Sequence, residues 1–360
     1  MQKASKIARF AMMNLYMLSK INWFKFIKNY SKKSDNVVWL NPGYPKVLYR
    51  YVTSGILEND LALIKALLVE DRTFRILFGQ DTIYKVENKT IYYNLSYNFL
   101  DRKKGNPTQY IIEKLTLLES NNNQVIPAIS NVEYWENKTF MQKRFVELDI
   151  PHPKTYIIES EKDIPSAADM MFPILYKPVH SSSSEGIVEF MNYVDLKTFI
   201  DQEQHNGFVL QERLNMSRDL RVTFVGDELV LYYWRINNSK IWRPTSTSHG
   251  STVDFDFYPE QWRTFIYEQY KKLNLNAGAF DVVWQNDDVT TKPLFLEVSP
   301  SFMPNPKPPV AYKDIPYSAY KNIVWSREAY FKKYIDIIFD IKLKLIKTYH
   351  SQTDTYTFKK

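Results

Sequence analysis

Two short apolar runs near the end of the chain each carry a single carboxylate. Asp281 lies within Ala279–Trp284 (AFDVVW) and Glu297 within Pro293–Val298 (PLFLEV). Both runs read as strands, and Asn286–Asp288 between them reads as the turn of a hairpin. A carboxylate among apolar neighbours is costly to bury without a partner. The chain must therefore fold so that positive charge reaches this hairpin. Two solutions are open. The carboxylates share a hard cation such as Mg²⁺, which prefers oxygen ligands and phosphate, or each pairs with an Arg or Lys.

Composition sets the outer bounds. A length of 360 residues suggests about two domains or three small ones. Hydrophobic residues at 44% and charged residues at 24% are globular values and exclude wholesale disorder. The absence of cysteine excludes disulfides, thiolate zinc sites and a cysteine nucleophile. No apolar run approaches the ~20 residues of a membrane-spanning helix.

The net charge of +7 is unevenly placed. Residues 1–34 hold eight basic residues and no acid, which leaves the remainder at −1. A nucleic-acid-binding protein spreads basic charge over its folded face, so no nucleic-acid partner is expected. The leader also carries Ile7, Phe10, Met17, Leu18, Ile21 and Phe24 at roughly helical spacing. A terminal helix docked on its own domain and a peripheral helix that contacts a membrane or a partner both fit this pattern. A secretory signal fits poorly, because Asn14 interrupts the apolar stretch and no small-residue cleavage pattern follows. The expected location is cytoplasmic, with the leader as the candidate membrane contact.

Further along, helix and strand patterns alternate, which predicts an α/β or α+β chain. Val37–Leu40 is an apolar run followed by the turn residues Asn41-Pro42-Gly43. A helix is expected over 60–70, strands over Thr73–Phe78 and Thr90–Tyr97, a polar turn at Asp101–Pro107 and a helix over Tyr110–Ser120. From Val125 the pattern changes. A short strand at 125–127 precedes a helix over Asn137–Leu148 with Asn137 as N-cap. Strands follow at Lys154–Ile158 and Ile174–Pro178, then the polar loop His180–Gly186, a helix over Val194–Gln202 and a strand over Phe208–Leu214. Leu220–Phe224 and Glu228–Trp234 read as a hairpin around Gly226-Asp227. Helices are expected over Glu260–Leu273 and Arg327–Lys347.

The cations offer the second half of the chemistry. Lys177 ends an apolar strand and leads into Ser181, Ser182, Ser183, Ser184 and Gly186. A lysine followed by small residues with free backbone N–H groups is a phosphate cradle in chemical terms; a flexible loop with a solvated lysine is the alternative. Arg221 and Arg235 lie on the hairpin strands and Arg243 in the loop beyond. They either converge on one anion or form separate ion pairs. Lys138 opens a helix and either reaches a phosphate or sits on the surface.

Taken in order, Lys138, Lys177 with its serine loop, Gln211-Glu212, Asp219-Leu220-Arg221-Val222, Arg243, Asp281 and Glu297-Val298-Ser299-Pro300 resemble the ATP-grasp superfamily. Within it they resemble the RimK-like carboxylate–amine ligases; D-alanine–D-alanine ligases and glutathione synthetases look like more distant kin. The resemblance spans about residues 125–306. It implies an ATP-grasp fold: an α/β domain at 35–124, then an ATP-grasp domain at 125–310 whose α+β subdomains, about 125–207 and 208–310, clasp ATP. Residues 1–34 stand apart as a basic amphipathic segment and 311–360 as a C-terminal helix and tail. The resemblance further implies phosphate contacts from Lys138 and Lys177 and a flap over the phosphates at Ser181–Gly186. Glu212 and Arg213, after Gln211, would border adenine, and Asp219 would bind ribose. Arg243 would meet the transferred phosphate, with Arg221 and Lys177 also serving catalysis. Asp281 and Glu297 would hold Mg²⁺ or Mn²⁺. Ser299 stands where the family usually has Asn as third ligand, and the flap has one glycine where more are usual.

The reaction so implied is phosphorylation of a substrate carboxylate by ATP, then attack of an amine on the acylphosphate, giving an amide, ADP and phosphate. Candidate carboxylates are an amino acid, a peptide C-terminus and a uronic acid of a saccharide. Asn41–Tyr44 and the serine loop are the guesses for the acceptor's neighbourhood. The rivals are an ATP-grasp kinase without an amine step, a non-catalytic ATP-binding protein suggested by Ser299, and a basic docking module suggested by residues 1–34. A homodimer is left open.

Overall fold

The β-branched and aromatic residues of the apolar runs assemble into three sheets. A computed structural model describes residues 2–40, 51–52, 56–79, 83–95, 108–182, 184–202, 207–239, 241–324 and 328–357. The turn residues Asn41-Pro42-Gly43, the guess at Asn41–Tyr44 and the polar turn Asp101–Pro107 lie outside these residues.

The first sheet is all parallel, in the order β2–β1–β3–β4, with β1 at Asn36–Leu40, β2 at Arg75–Phe78, β3 at Thr90–Tyr92 and β4 at Gln124–Ile126. A parallel sheet is covered on both faces. Val38 and Tyr92 pack with helix α3 (Leu57–Val69), while Val37, Trp39 and Ile91 pack with α4 (Gln109–Ser120). The stripe Ile111, Leu115 and Leu118 of α4 is fully buried, as its spacing predicts.

The short α5 (Ile129–Glu133) leads to α6 (Lys138–Glu147), which Asn137 caps by accepting the Phe140 N–H at 3.1 Å. The second sheet is antiparallel, β5–β8–β6–β7, from Thr155–Ile158, Phe208–Glu212, Ile174–Pro178 and Val188–Phe190. Helix α7 (Tyr193–Gln202) covers it through Leu196 and Ile200. The third sheet, β11–β10–β9–β12–β13, is also antiparallel. It comprises Thr252–Asp254, Glu228–Ile236, Arg218–Val225, Ala277–Val283 and Leu294–Ser299. Leu220, Val222, Phe280 and Phe295 on one face of this sheet meet Met141 and Phe145 of α6 and Ile266 and Tyr270 of α8 (Arg263–Lys272). The opposite face carries Asp219, Arg221 and Asp281, and also Val225 and Tyr233, which pack against the last helix.

Period-2 and period-3.6 patterning thus locates the long elements. It misses α5, β7, β11 and α9 (Tyr317–Val324), which are three to eight residues long, too short for a period to register. The helix expected over Glu260–Leu273 begins as a 3₁₀ turn at Glu260–Trp262 before α8.

The basic leader folds as α1 (Gln2–Ser19) and α2 (Trp23–Asn29). Phe10, Met13 and Met17 insert between Leu61 and Ala62 of α3 and Tyr334, Ile335 and Ile338 of the last helix, α10 (Glu328–Thr357). The leader is therefore docked on its own body along that face. Phe24, expected on the same stripe, is instead 82% exposed. Among the described residues no helix is long and apolar enough to cross a membrane.

Met17→Ala empties a fully buried site under α1. It is expected to lower the unfolding free energy by about 2–5 kcal/mol. Urea denaturation followed by circular dichroism checks this, and an unchanged midpoint means that α1 is not packed as described.

Candidate active site

The polar face of the third sheet looks into a cavity of about 250 Å³, whose other walls come from β6, β8 and α6. Strand alternation sorts the side chains. Leu220, Val222, Phe280 and Val282 go to the core, while Asp219, Arg221 and Asp281, one residue away, go to the cleft. Cross-strand register then aligns the charges: Asp281 lies opposite both Arg221 of β9 and Glu297 of β13, and Asp219 lies opposite Arg235 of β10.

Two β-bulges make that alignment. Counting back from the turn pairs Val225 with Glu228, but a shift between Leu229 and Leu231 brings Arg235 opposite Asp219. In the second hairpin a shift between Asp281 and Val282 brings Glu297 opposite Asp281. Without these shifts Arg235 and Glu297 would point to the core face, because one residue of slip reverses every side chain.

The result is a chain of four alternating charges. Asp281 Oδ1 accepts from Arg221 Nη1 at 3.0 Å, and Asp281 Oδ2 lies 2.7 Å from Arg235 Nη2. Arg235 also grips Asp219, donating from Nε to Oδ1 at 2.9 Å and from Nη2 to Oδ2. Burial would raise the Asp281 pKa, but Arg221 and Arg235 outweigh it and hold the carboxyl below its ordinary range. Of the two solutions open for Asp281, the structure displays the ion pair. Asp219, expected at ribose, is 1% exposed with both oxygens on Arg235. It also lines the cleft.

Glu297 differs from its neighbour. It is half-buried on the cleft wall and makes no ion pair or hydrogen bond among the described residues. Ser299, two residues on along the same strand, lines the cleft with it. Lys177 is half-buried opposite, and its ammonium donates to Gln211 Oε1 at 2.5 Å. Gln211 is itself held by donating to Thr155 Oγ1 at 2.9 Å. Burial pushes the Lys177 amine down to about 8, against the pull of Glu297 and with help from the nearby Lys138. A buried amine with no carboxylate in ion-pair contact is a place where a bound anion is favourable.

Lys138 is buried, not on the surface. Its ammonium donates to Ser181 O at 2.7 Å and Ser181 Oγ at 2.9 Å, so it anchors the start of the serine loop. Ser182 and Ser184 line the cleft; Ser183 lies outside the described residues. Gly186 turns the loop at φ +74°, where a Cβ would meet Pro178 Cγ at 2.8 Å; it does not itself line the cleft. Arg243 is on the rim, exposed and without an ion pair among the described residues. Glu212 and Arg213 line the cleft, but their charged ends are engaged elsewhere. Glu212 accepts the Lys154 N–H at 2.8 Å, and Arg213 pairs with Glu189 at 2.8 Å.

Arg235 and Asn305 are among the cleft residues that sequence reading left out of the site. Arg235 was visible on its strand, but its register depends on the bulge. Asn305 lies six residues past Ser299 in a proline-rich run without a periodic pattern; it lines the cleft and donates to the Tyr233 hydroxyl at 2.9 Å.

Arg235→Met strands Asp219 in the interior without its partner. The expected loss is about 3–5 kcal/mol of stability, the cost of breaking a buried ion pair on one side. Chemical denaturation checks it, and a loss under about 1 kcal/mol means that the pair is solvent-relaxed.

No family model matches the chain. A curated relative, the alpha-aminoadipate–LysW ligase LysX of Sulfurisphaera tokodaii, is 25% identical over 147 residues, which are 39% of this chain. The chain spans about half of that relative's length, 51%. Among solved structures, the D-alanine–D-alanine ligase of Bacillus anthracis complexed with ATP superposes with a TM-score of 0.54 at 13% identity, covering 88% of this chain and 99% of that one. The ATP-grasp ligase PsnB, in complex with a precursor variant, Mg and ADP, superposes at 0.53 and 12% identity, covering 88% and 98%. At such identities the shared property is the fold, and the fold of this chain is ATP-grasp.

Proposed function

We propose that the chain is an ATP-dependent ligase that joins a substrate carboxylate to an amine through an acylphosphate, giving an amide, ADP and phosphate. The observation that carries the proposal is a cleft in which, among the described residues, Lys177 and Arg243 have no ion-pair partner and Glu297 and Ser299 offer uncommitted oxygens, on a fold shared with an ATP-complexed ligase. Such a cleft suits a nucleotide phosphate chain together with a hard cation.

The donor set fits Mg²⁺ or Mn²⁺: Glu297 and Ser299 are oxygen donors on one sheet face, Asp281 beside them would exchange one arginine contact for the ion, and Mg²⁺ commonly keeps several waters. Bound there, the ion would neutralise charge on the phosphates during transfer. The other roles fall to the chain's own groups. Lys177, oriented by Gln211, binds the phosphates, and Arg243 meets the transferred phosphoryl group at the rim. A well-placed donor of this type is worth about 3 kcal/mol in the transition state. The serine loop, anchored by Lys138, excludes water so that the acylphosphate meets the amine first. Arg221 holds Asp281 in place. Adenine lies along the backbone of Glu212 and Arg213.

The proposed units are residues 35–124, 125–310 and 311–360, with the leader as an additional contact surface. Trp23, Phe24 and Ile27 are exposed beside Lys20 and Lys28, which favours contact with an anionic membrane or partner.

Calorimetric titration with a non-hydrolysable ATP analogue plus Mg²⁺ tests the reading. Wild type is expected to bind. Asp281→Asn and Glu297→Gln are expected to lose at least about tenfold in metal-dependent affinity. No binding by wild type overturns the proposal. ADP release that needs a carboxylate but not an amine points instead to a kinase.

Lys177 also sets a pH dependence. Its amine carries a proton below about 8 and loses it above. Because a phosphate favours the protonated form, analogue affinity is expected to hold below pH 8 and to fall above it, by at most about tenfold per unit. Lys177→Arg, whose charge persists to higher pH, removes this step. A flat profile in wild type assigns phosphate binding elsewhere.

A further inference from the structure

Beside the cleft lies a second cavity of about 70 Å³, and Ser301 and Phe302 line both. The two spaces therefore adjoin across the loop after β13, just past Glu297 and Ser299, with Ser301 and Phe302 between them. The smaller one is bounded by Leu95 and Pro127, beyond the carboxyl ends of β3 and β4 in the parallel sheet. That is where open α/β sheets take their ligands. Its volume is that of about two waters, enough for one carboxylate group.

The lining is mostly apolar, with Ile338, Ile341 and Leu345 from α10, and carries one cation, Lys342 of the same helix. Lys342 is half-buried and has no hydrogen bond or ion pair among the described residues. The acid that attracts it is Asp60 of α3, but both oxygens of that carboxylate are engaged. Oδ2 accepts from the Tyr51 hydroxyl at 2.9 Å and Oδ1 from Asn94 Nδ2 at 2.5 Å. Burial consequently wins over Asp60 and pushes the Lys342 amine down to about 8. A buried ammonium left in this state gains from an added counter-charge.

We infer that this cavity anchors the far end of the carboxylate substrate, taking a second carboxylate carried on an aliphatic stem, with Lys342 as its counter-charge and the α10 side chains against the stem. The inference rests on the ligase reading for the reacting end, which lies in the larger cleft. It narrows the substrate class to small acids with two carboxylates, and it makes Lys342 a specificity residue, not a catalytic one.

The test uses the full chain and titrates glutarate and adipate against pentanoate and hexanoate, each with and without the ATP analogue and Mg²⁺. A dicarboxylate is expected to bind at least about tenfold tighter than the monocarboxylate of equal length, the scale of one charge-assisted contact. Lys342→Met is expected to abolish that preference while leaving analogue affinity unchanged, and Lys342→Arg to retain it. A merely structural Lys342 would weaken all ligands together or lower the melting temperature in both variants. Equal binding of the two acid classes, no binding of any dicarboxylate, or a preference that survives Lys342→Met overturns the inference. If the preference is present but the analogue never binds, the cavity stands and the ligase reading falls; if the analogue binds but the preference is absent, the reverse holds.

Discussion

Everything on the cleft face of the third sheet is arranged around Asp281. Its carboxylate joins Arg221 and Arg235, and Arg235 continues to Asp219, so four charges are buried as a neutral alternating chain. Each member would be costly alone and is tolerable in sequence, because every charge meets its opposite at hydrogen-bond distance. The lattice ties β9, β10 and β12 together on one face while Phe280, Val222 and Leu220 tie them on the other. Beyond the lattice, Lys177, Arg243, Glu297 and Ser299 make no ion pair among the described residues, and Lys177 donates only to the neutral Gln211.

That division of labour separates structural charge from available charge within a few ångströms. Asp281 and Glu297 are cross-strand neighbours, yet one is paired with two arginines and the other makes no ion pair among the described residues. Lys138 opens a helix and Lys177 ends an apolar strand; the first is tied to Ser181 and the second donates to Gln211. The docked leader and α10 add a further layer. The leader packs on α10, and α10 in turn lines the smaller cavity through Ile338, Ile341, Lys342 and Leu345.

Much of this was legible along the chain. The Asn137 cap, the lysine leading into a serine loop, the buried stripe of α4 and the paired carboxylates of the last hairpin each follow from local rules of spacing and turn chemistry. The ordered set of charged residues indicated ATP-grasp, and the superposed structures share that fold. Less legible were the partners. Asp219, expected at ribose, is paired with Arg235; Lys138, for which a surface position was one of two alternatives, is buried; Arg213 and Glu212 line the cleft while Arg213 pairs with Glu189 and Glu212 accepts the Lys154 N–H. A residue type at a position states what it can bind, and which of several nearby partners it takes depends on distances that only packing sets.

By itself the sequence determined where strands and helices run, which residues carry charge into apolar surroundings, and that counter-charge had to be found for Asp281 and Glu297. The tertiary structure alone decided how that was met. Two bulges, one in each hairpin, shift the register by one residue and turn Arg235 and Glu297 from the core face to the cleft face. Side chains alternate with a period of two, so a single-residue slip reverses the outcome completely. Whether a strand bulges depends on how its twist fits the neighbouring strands and helices, information that is distributed over the whole fold and not written at the bulge itself.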